Sequence, residues 1–190
     1  MTVHWTHVDG ASLPAETDWV GPDEQKVLAG LGLAKRRQEW LLGRYAAKKL
    51  VGSFVEGDAQ NHVQIIAAED GAPEPFIGGE PLDGSLSISH RDGVAVCAFS
   101  PEAVVGCDLE AVEPRTSRFV RDFFTERESR MAEDSAPEEH DLRVALTWSA
   151  KESALKVLRV GLRRDTRDVE VDLEGVDAAE GWHPFEAKLR

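Results

Sequence analysis

Two acidic residues in one short segment are the first feature of the sequence that could do chemistry. In residues 105–110, VGCDLE, strand periodicity turns Asp108 and Glu110 to the same side as Gly106 and turns the other three residues to the core. Two carboxylates on one strand face repel each other unless a cation lies between them, and oxygen-only ligands suit Mg²⁺ or Mn²⁺. The segment therefore predicts either a divalent-metal site or an exposed acidic strand face.

A second candidate lies further along the chain on a predicted helix. Trp148, Glu152 and Lys156 are four residues apart and so line one helical face. Glu followed by Lys at this spacing is also a common helix-stabilising pair. Because Trp148 shares the face, the face is not expected to be fully solvated, which favours a site.

Basic residues form a third candidate. On a long predicted helix, about 34–55, Arg37, Arg44 and Lys48 fall in a narrow arc beside the apolar stripe. His90 follows a predicted strand, where it could contact a phosphate or cap a turn. Its position alone favours the turn.

The composition restricts the class of protein. With 190 residues, 42% hydrophobic and 30% charged, the chain is typical of a soluble protein with one large domain or two small halves. No apolar run approaches the roughly 20 residues of a membrane span, and there is no signal-peptide pattern, so we expect a cytoplasmic protein. A net charge of −13 argues against nucleic acid as a partner. We expect Cys97 and Cys107 to be free thiols, although they could pair across neighbouring strands.

Helices and short strands alternate along the chain. Helix signals begin at Pro22 and at Thr125, where Glu128 completes a capping box, and a shorter helix fits residues 116–124. Pro137 predicts the start of a long helix through 142–160, which Gly161 ends. The predicted strands are 3–7, 62–67, 85–90, 93–99, 103–112 and 169–173.

Four blocks together resemble the 4′-phosphopantetheinyl transferases of the surfactin-synthetase type. The blocks are LLGRYAAKKL at 41–50, LSISH at 86–90, VGCDLE at 105–110 and WSAKESALK at 148–156. FFTERE at 123–128 also looks like that family. The acidic block is unspecific alone, but its combination with the Trp-Ser-x-Lys-Glu-Ser block is highly specific.

The resemblance implies a fold and an activity. The fold is α+β, with two pseudo-symmetric halves that each pack a long helix on a small, mostly antiparallel sheet. Residues 1–103 would bind the phosphates of coenzyme A, and residues 104–190 would hold the metal and the catalytic groups. A monomer of this kind moves the 4′-phosphopantetheine of coenzyme A to a serine of an acyl or peptidyl carrier protein, and adenosine 3′,5′-bisphosphate leaves. Fatty acid, polyketide and non-ribosomal peptide carriers are all compatible.

The same resemblance implies the site residues. The metal ligands for Mg²⁺, or Mn²⁺, would be Asp108, Glu110 and Glu152. The groups that bind coenzyme A would be Arg37, Arg44, Lys48, Ser89, His90 and Lys156. Glu152 would also accept the proton of the attacking serine, and Lys156 would stabilise the leaving bisphosphate.

Some features leave other interpretations open. Ala72 stands where many relatives have a basic residue, and relatives usually continue beyond Arg190. A carrier protein would dock on an apolar and basic patch near residues 118–130, with Phe119, Val120, Phe123 and Phe124 as candidates, although at least two of these phenylalanines are expected in the core. The alternatives to a transferase are a Mg²⁺-dependent phosphohydrolase and a non-catalytic module that binds coenzyme A.

Overall fold

The computed structural model describes residues 2–55, 57, 62–173, 176, 181 and 183–190. Five α-helices and three small antiparallel sheets make up this part of the chain. The helices are α1 (Pro22–Ala29), α2 (Ala34–Gly52), α3 (Ser117–Phe123), α4 (Glu126–Glu133) and α5 (His140–Val157). The strands are β1 (His4–Asp9), β2 (Val63–Ala67), β3 (Pro73–Ile77), β4 (Glu80–Pro81), β5 (Ser85–Arg91), β6 (Val94–Ser100), β7 (Val169–Asp172) and β8 (Glu186–Leu189). The α+β class predicted from the sequence is confirmed.

The chain divides into two units, Met1–Leu109 and Glu110–Arg190. The division predicted from the sequence falls between residues 103 and 104. Each unit has a long helix and at least one antiparallel sheet of its own, with α2 in the first unit and α5 in the second. The functions assigned to the two halves remain predictions.

The main sheet of the first unit has the strand order β1–β6–β5, and all its pairs are antiparallel. A two-residue turn joins β5 to β6, because Arg91 pairs with Val94 across Asp92 and Gly93. Both turn residues have positive φ, 48° and 80°, which is the conformation of the tight turn that suits the twist of two antiparallel strands. Glycine adopts it without strain, and aspartate tolerates it.

Helix α2 covers one face of this sheet. Alternate residues of β6 (Ala95, Cys97 and Phe99) point to the same core as the buried face of α2. The helix lies close to the sheet at Gly43, where an added Cβ would lie 3.1 Å from Ile88 Cγ2. The second sheet, with the order β2–β3–β4, adds its own buried residues to this core.

The second unit packs α3, α4 and α5 with the hairpin of β7 and β8. One apolar cluster surrounds Trp148 on α5, and another joins Leu155 to the buried side of β7. Thr125 and Glu128 form the predicted capping box at the start of α4, with reciprocal hydrogen bonds of 3.3 and 2.7 Å.

Three sequence expectations need correction or refinement. Helix α5 begins at His140 and ends at Val157, inside the predicted limits, and α2 ends at Gly52. The predicted strand at 103–112 is wrong, since the structure assigns no strand there. Its backbone donors find side-chain oxygens instead of a neighbouring strand, as described below.

The remaining expectations concern the thiols and membranes. Cys97 and Cys107 are thiols that form no disulfide, as expected, and burial raises the pKa of the Cys97 thiol well above its usual value. Among the described residues, no helix has the length and apolar character to cross a bilayer.

Candidate active site

Serine hydroxyls of β5 hold the acidic segment in place. Serines at every second position of a strand share one face, and here it is the face opposite Leu86 and Ile88, which join the core under α2. Each hydroxyl accepts a backbone N–H of the segment: Ser85 from Val105 at 3.0 Å, Ser87 from Cys107 at 3.0 Å and Ser89 from Leu109 at 3.2 Å. The segment is therefore extended with the periodicity of a strand, but side chains position it.

Ser89 also orients Asp108. Its Oγ donates to Asp108 Oδ1 at 2.8 Å while it accepts from the N–H of Leu109. The hydroxyl is buried, so these bonds are protected from exchange with water. Ser89 was predicted to bind coenzyme A, and the structure places its hydroxyl against the Asp108 carboxylate.

Glu110 has partners on both carboxylate oxygens. Trp148 Nε1 donates to Oε1 at 3.1 Å, and Arg115 Nη2 donates to Oε2 at 2.9 Å. Arg115 also lies 3.3 Å from Glu113 Oε1. Sequence reasoning placed Glu110 with Trp148 in one site but missed Arg115, which only its position a few residues after the acidic pair could have suggested.

Glu152 and Lys156 lie on α5, half-buried, on the same helical face as Trp148. In the part of the chain that the structure describes, no three Asp, Glu, His or Cys side chains form a cluster that could hold a metal ion. The donor chemistry of the predicted ligands nevertheless fits a divalent cation, because Ser89 fixes Asp108 and Glu110 already attracts a cationic group. Glu110 must release Arg115 Nη2 before Oε2 can become a ligand.

The three basic residues of α2 that were predicted to bind coenzyme A have different surroundings. Lys48 Nζ donates to Glu24 Oε2 at 2.6 Å and to the Trp19 carbonyl at 2.7 Å, and its side chain is only 10% exposed. Arg37 Nη1 donates to the Leu28 carbonyl at 3.0 Å, close to the end of α1. Lys48 and Arg37 thus already serve the packing of α1 against α2.

Arg44 differs from its neighbours. Its guanidinium lies 5.0 Å from the centre of the Trp40 ring, and its Nε is buried without a hydrogen-bond partner among the described residues. Burial lowers the pKa of Arg44, and the charge of Glu24 opposes the shift. A buried guanidinium donor left open is suited to an anion. His90, the last predicted phosphate contact, is exposed on β5.

A buried ion pair that the sequence did not reveal organises the second unit. Lys151 Nζ lies 2.8 Å from Glu128 Oε2, and both side chains are almost completely buried. Lys151 also donates to the carbonyls of Thr166 and Val169, and Glu128 Oε1 accepts the N–H of Val171. The pair therefore ties α4, α5 and β7 together. The capping box revealed Glu128, and the Trp-Ser-x-Lys-Glu-Ser block includes Lys151, but the sequence did not show that the two residues pair.

The first unit contains the same arrangement. Glu24 caps α1 by accepting the N–H of Gly21 at 2.8 Å, accepts the N–H of Ile65 on β2 at 2.9 Å, and pairs with Lys48 of the long helix. The same three parts recur in the same chain order in both units. A glutamate caps a short helix, pairs with a lysine of the following long helix, and accepts the N–H of a residue in a later strand. Lys48 is thus the structural counterpart of Lys151.

Part of the predicted docking patch belongs to the core. Val120 and Phe124 are buried, and Phe119 and Phe123 pack at 5.0 and 5.1 Å from the Trp148 ring. The basic residues of the same stretch are exposed, with Arg121 at 72% and Arg130 at 70%. The phenylalanines stabilise the surroundings of Trp148, as the core interpretation expected.

Comparisons with known proteins find similarity to 4′-phosphopantetheinyl transferases and do not distinguish the surfactin-synthetase type. Residues 104–183 match the family model described as the 4′-phosphopantetheinyl transferase superfamily. The human L-aminoadipate-semialdehyde dehydrogenase-phosphopantetheinyl transferase is 25% identical over 203 residues, and the match spans 98% of this chain and 65% of that relative. The 4′-phosphopantetheinyl transferase AcpT of Salmonella typhimurium is 28% identical over 123 residues, which is 64% of this chain and 58% of AcpT.

A solved structure is also similar. The Chronobacterium ammoniagenes ACPS-CoA complex aligns with a TM-score of 0.41 and 22% identity, over 52% of this chain and 93% of that one. The chain is thus similar to 4′-phosphopantetheinyl transferases, and it spans less than two thirds of the length of the curated relatives named above.

Proposed function

We propose that this chain transfers the 4′-phosphopantetheine of coenzyme A to a serine hydroxyl of an apo acyl or peptidyl carrier protein, as a monomer of the surfactin-synthetase type. The observation that carries the proposal is the orientation of the Asp108 carboxylate by a hydrogen bond from Ser89. Asp108 lies inside residues 104–183, the stretch that matches the family model. The serine oxygen attacks the phosphorus attached to pantetheine, the bond to the bridging oxygen breaks, and adenosine 3′,5′-bisphosphate leaves.

The carboxylates and Lys156 supply the chemistry in this proposal. Mg²⁺ or Mn²⁺ held by Asp108, Glu110 and Glu152 would neutralise negative charge on the pyrophosphate. Glu152 takes the proton of the serine hydroxyl, and Lys156 pairs with the leaving bisphosphate. Positioning and neutralisation of charge are the main requirements of phosphoryl transfer, and fixed side chains meet both.

Arg44 and His90 are proposed to bind the phosphates of coenzyme A. Arg44 has an open buried donor, and His90 is accessible at the end of the strand that carries Ser89. Because Lys48 is committed to Glu24, we give it a structural role, and Ser89 is assigned to orient Asp108. The exposed Arg121 and Arg130 are proposed to contact an acidic carrier, although each also lies within 4 Å of an acid of its own chain, Asp122 at 3.8 Å and Glu126 at 3.5 Å.

Intact-mass spectrometry tests the activity. Apo-carrier incubated with the protein, coenzyme A and Mg²⁺ should gain one phosphopantetheine, and adenosine 3′,5′-bisphosphate should appear in equal amount. Glu152→Gln should abolish the gain, whereas Glu133→Gln, an exposed change on α4, should not. Consumption of coenzyme A with unmodified carrier would instead identify a phosphohydrolase.

Arg44→Ala tests the phosphate contact. Loss of a charge-assisted contact to a phosphate should raise the KM for coenzyme A by about tenfold, with kcat changed much less. Arg36→Ala removes an exposed guanidinium from the same helix and is the control. An unchanged KM in Arg44→Ala would remove Arg44 from the binding site.

A further inference from the structure

Glu110 has a cationic partner supplied by the chain itself. Arg115 Nη2 lies 2.9 Å from Glu110 Oε2, in a pair whose side chains are 23% and 13% exposed. Trp148 Nε1 occupies the other oxygen. An acid this buried is costly to leave ionised alone, and the guanidinium compensates its charge.

Arg115 also has a second set of contacts. It lies 3.3 Å from Glu113 Oε1, and its guanidinium carbon is 5.2 Å from the centre of the Phe119 ring. Both contacts can persist after Glu110 is released, so the guanidinium need not return to bulk water. Its displacement therefore costs less than the rupture of an isolated buried ion pair.

We propose that Arg115 is a positioning residue that holds Glu110 in place and competes with the divalent cation for this carboxylate. The inference rests on the proposed function, because it takes Glu110 as a metal ligand. A cation that binds Oε2 must displace the guanidinium from the same oxygen, and the two like charges repel each other at this distance. Arg115 thus sets a threshold concentration of metal below which Glu110 remains paired with the protein.

If Arg115 competes with the cation, removal of its contact with Glu110 should increase the affinity of the protein for Mn²⁺. Arg115→Met keeps an unbranched side chain against Phe119 and removes the charge and the donors. The dissociation constant for Mn²⁺ should then fall by about tenfold, the equivalent of one charge-assisted hydrogen bond that no longer has to be broken. A merely structural role for Arg115 would leave the affinity unchanged or weaken it.

Titration with Mn²⁺, followed by electron paramagnetic resonance, measures the dissociation constant for Mn²⁺. The experiment uses the full chain without coenzyme A, at constant ionic strength. The matched control is Arg143→Met, since Arg143 is 27% exposed and pairs with Glu139 at 3.3 Å in the same unit. It should leave the Mn²⁺ affinity within about twofold of the original, because long-range charge effects are screened by salt. Arg115→Lys keeps the charge but loses the forked donors of the guanidinium. Its dissociation constant for Mn²⁺ should lie between those of the unmodified protein and of Arg115→Met.

A second variant ties the effect to Glu110. In a Glu110→Gln background the substitution Arg115→Met should no longer tighten Mn²⁺ binding, since the contested charge is gone. The Mn²⁺ concentration for half-maximal transfer should also fall in Arg115→Met with the Glu110 carboxylate present. If Arg115→Met does not fold, as judged by thermal unfolding, Arg115→Lys decides by the same titration.

Two results would overturn the proposal. The first leaves the proposed function intact, and the second refutes it as well. If the protein transfers phosphopantetheine but Arg115→Met binds Mn²⁺ no tighter than Arg143→Met, only the competition by Arg115 is refuted. If the unmodified protein neither binds Mn²⁺ nor modifies a carrier, the proposed function and this inference fail together.

Discussion

Replacement of Lys151 by methionine should destabilise the second unit by about 3–5 kcal/mol, the range found when one partner of a buried ion pair is removed. Lys151 has no exposed side-chain surface, and its partner Glu128 has 2%. Burial lowers the pKa of the Lys151 ammonium, and the hydrogen bond that it donates to Glu128 opposes this shift. The pair is therefore expensive to bury, and each charge depends on the other.

The size of the effect follows from what the substitution leaves behind. Glu128 keeps the N–H groups of Thr125 at 2.7 Å and Val171 at 2.8 Å, which partly stabilise its charge. The carbonyls of Thr166 and Val169 lose a donor in the interior, and an unpaired buried acceptor costs about 1–3 kcal/mol. The two residual donors place the expected loss toward the lower end of the range, about 3 kcal/mol.

Urea unfolding followed by circular dichroism and by amide hydrogen exchange on α5 measures the loss. Lys35→Met is the control: its side chain is 87% exposed, it lies 3.8 Å from Glu39, and such surface pairs contribute about 0–1 kcal/mol. Lys48→Met should fall between the two, because Lys48 keeps 10% exposure. A loss below about 1 kcal/mol for Lys151→Met would refute the claim that the buried pair holds the unit together.

Two other predictions concern the backbone and pH. Gly84→Ala should cost about 2 kcal/mol in thermal unfolding, since φ is +139° and the new Cβ would lie 2.5 Å from the Phe99 ring, whereas Gly32→Ala, with nothing within 4 Å, should cost far less. Asp165 accepts hydrogen bonds from Arg167, which lower its pKa from 3.8 to about 2, so its contribution to stability is present above pH 3.8 and is lost as the pH falls through 2. An NMR titration should find that value, and Arg167→Gln should move it toward 3.8; a pKa already near 3.8 in the unmodified protein would contradict the bonding seen here.

The glutamate–lysine pair that occurs in both units shows which basic residues of α2 have a structural role, a distinction that the helical wheel could not provide. Arg44 and Lys48 are four residues apart and both border the apolar stripe of α2. Lys48 is the counterpart of Lys151 and neutralises a capping glutamate, whereas Arg44 keeps an open donor. Residues on one helical arc can therefore have different roles. The partner of each side chain decides whether its role is structural or whether it is a candidate for binding.

Local patterns predicted the local structure well. The long helices, the strands 85–90 and 93–99 and the capping box at Thr125 follow from periodicity and from pairs of residues close in sequence. The strand at 103–112 was wrong because period-two alternation records which way side chains point and not which groups accept the backbone N–H. Serine hydroxyls satisfy those donors, so no strand ladder is needed.

By itself the sequence determined the types and spacing of the acidic and basic residues, the helix that carries Glu152 and Lys156, and the family that these blocks resemble. The tertiary structure decided the partner of each charge: Arg115 for Glu110, Ser89 for Asp108, Glu24 for Lys48 and Glu128 for Lys151. The physical reason is that the strength of a charge interaction depends on distance and on burial, and both are set by segments remote in the chain. A residue list can therefore name the groups available for catalysis, and only packing shows which of them are already in use.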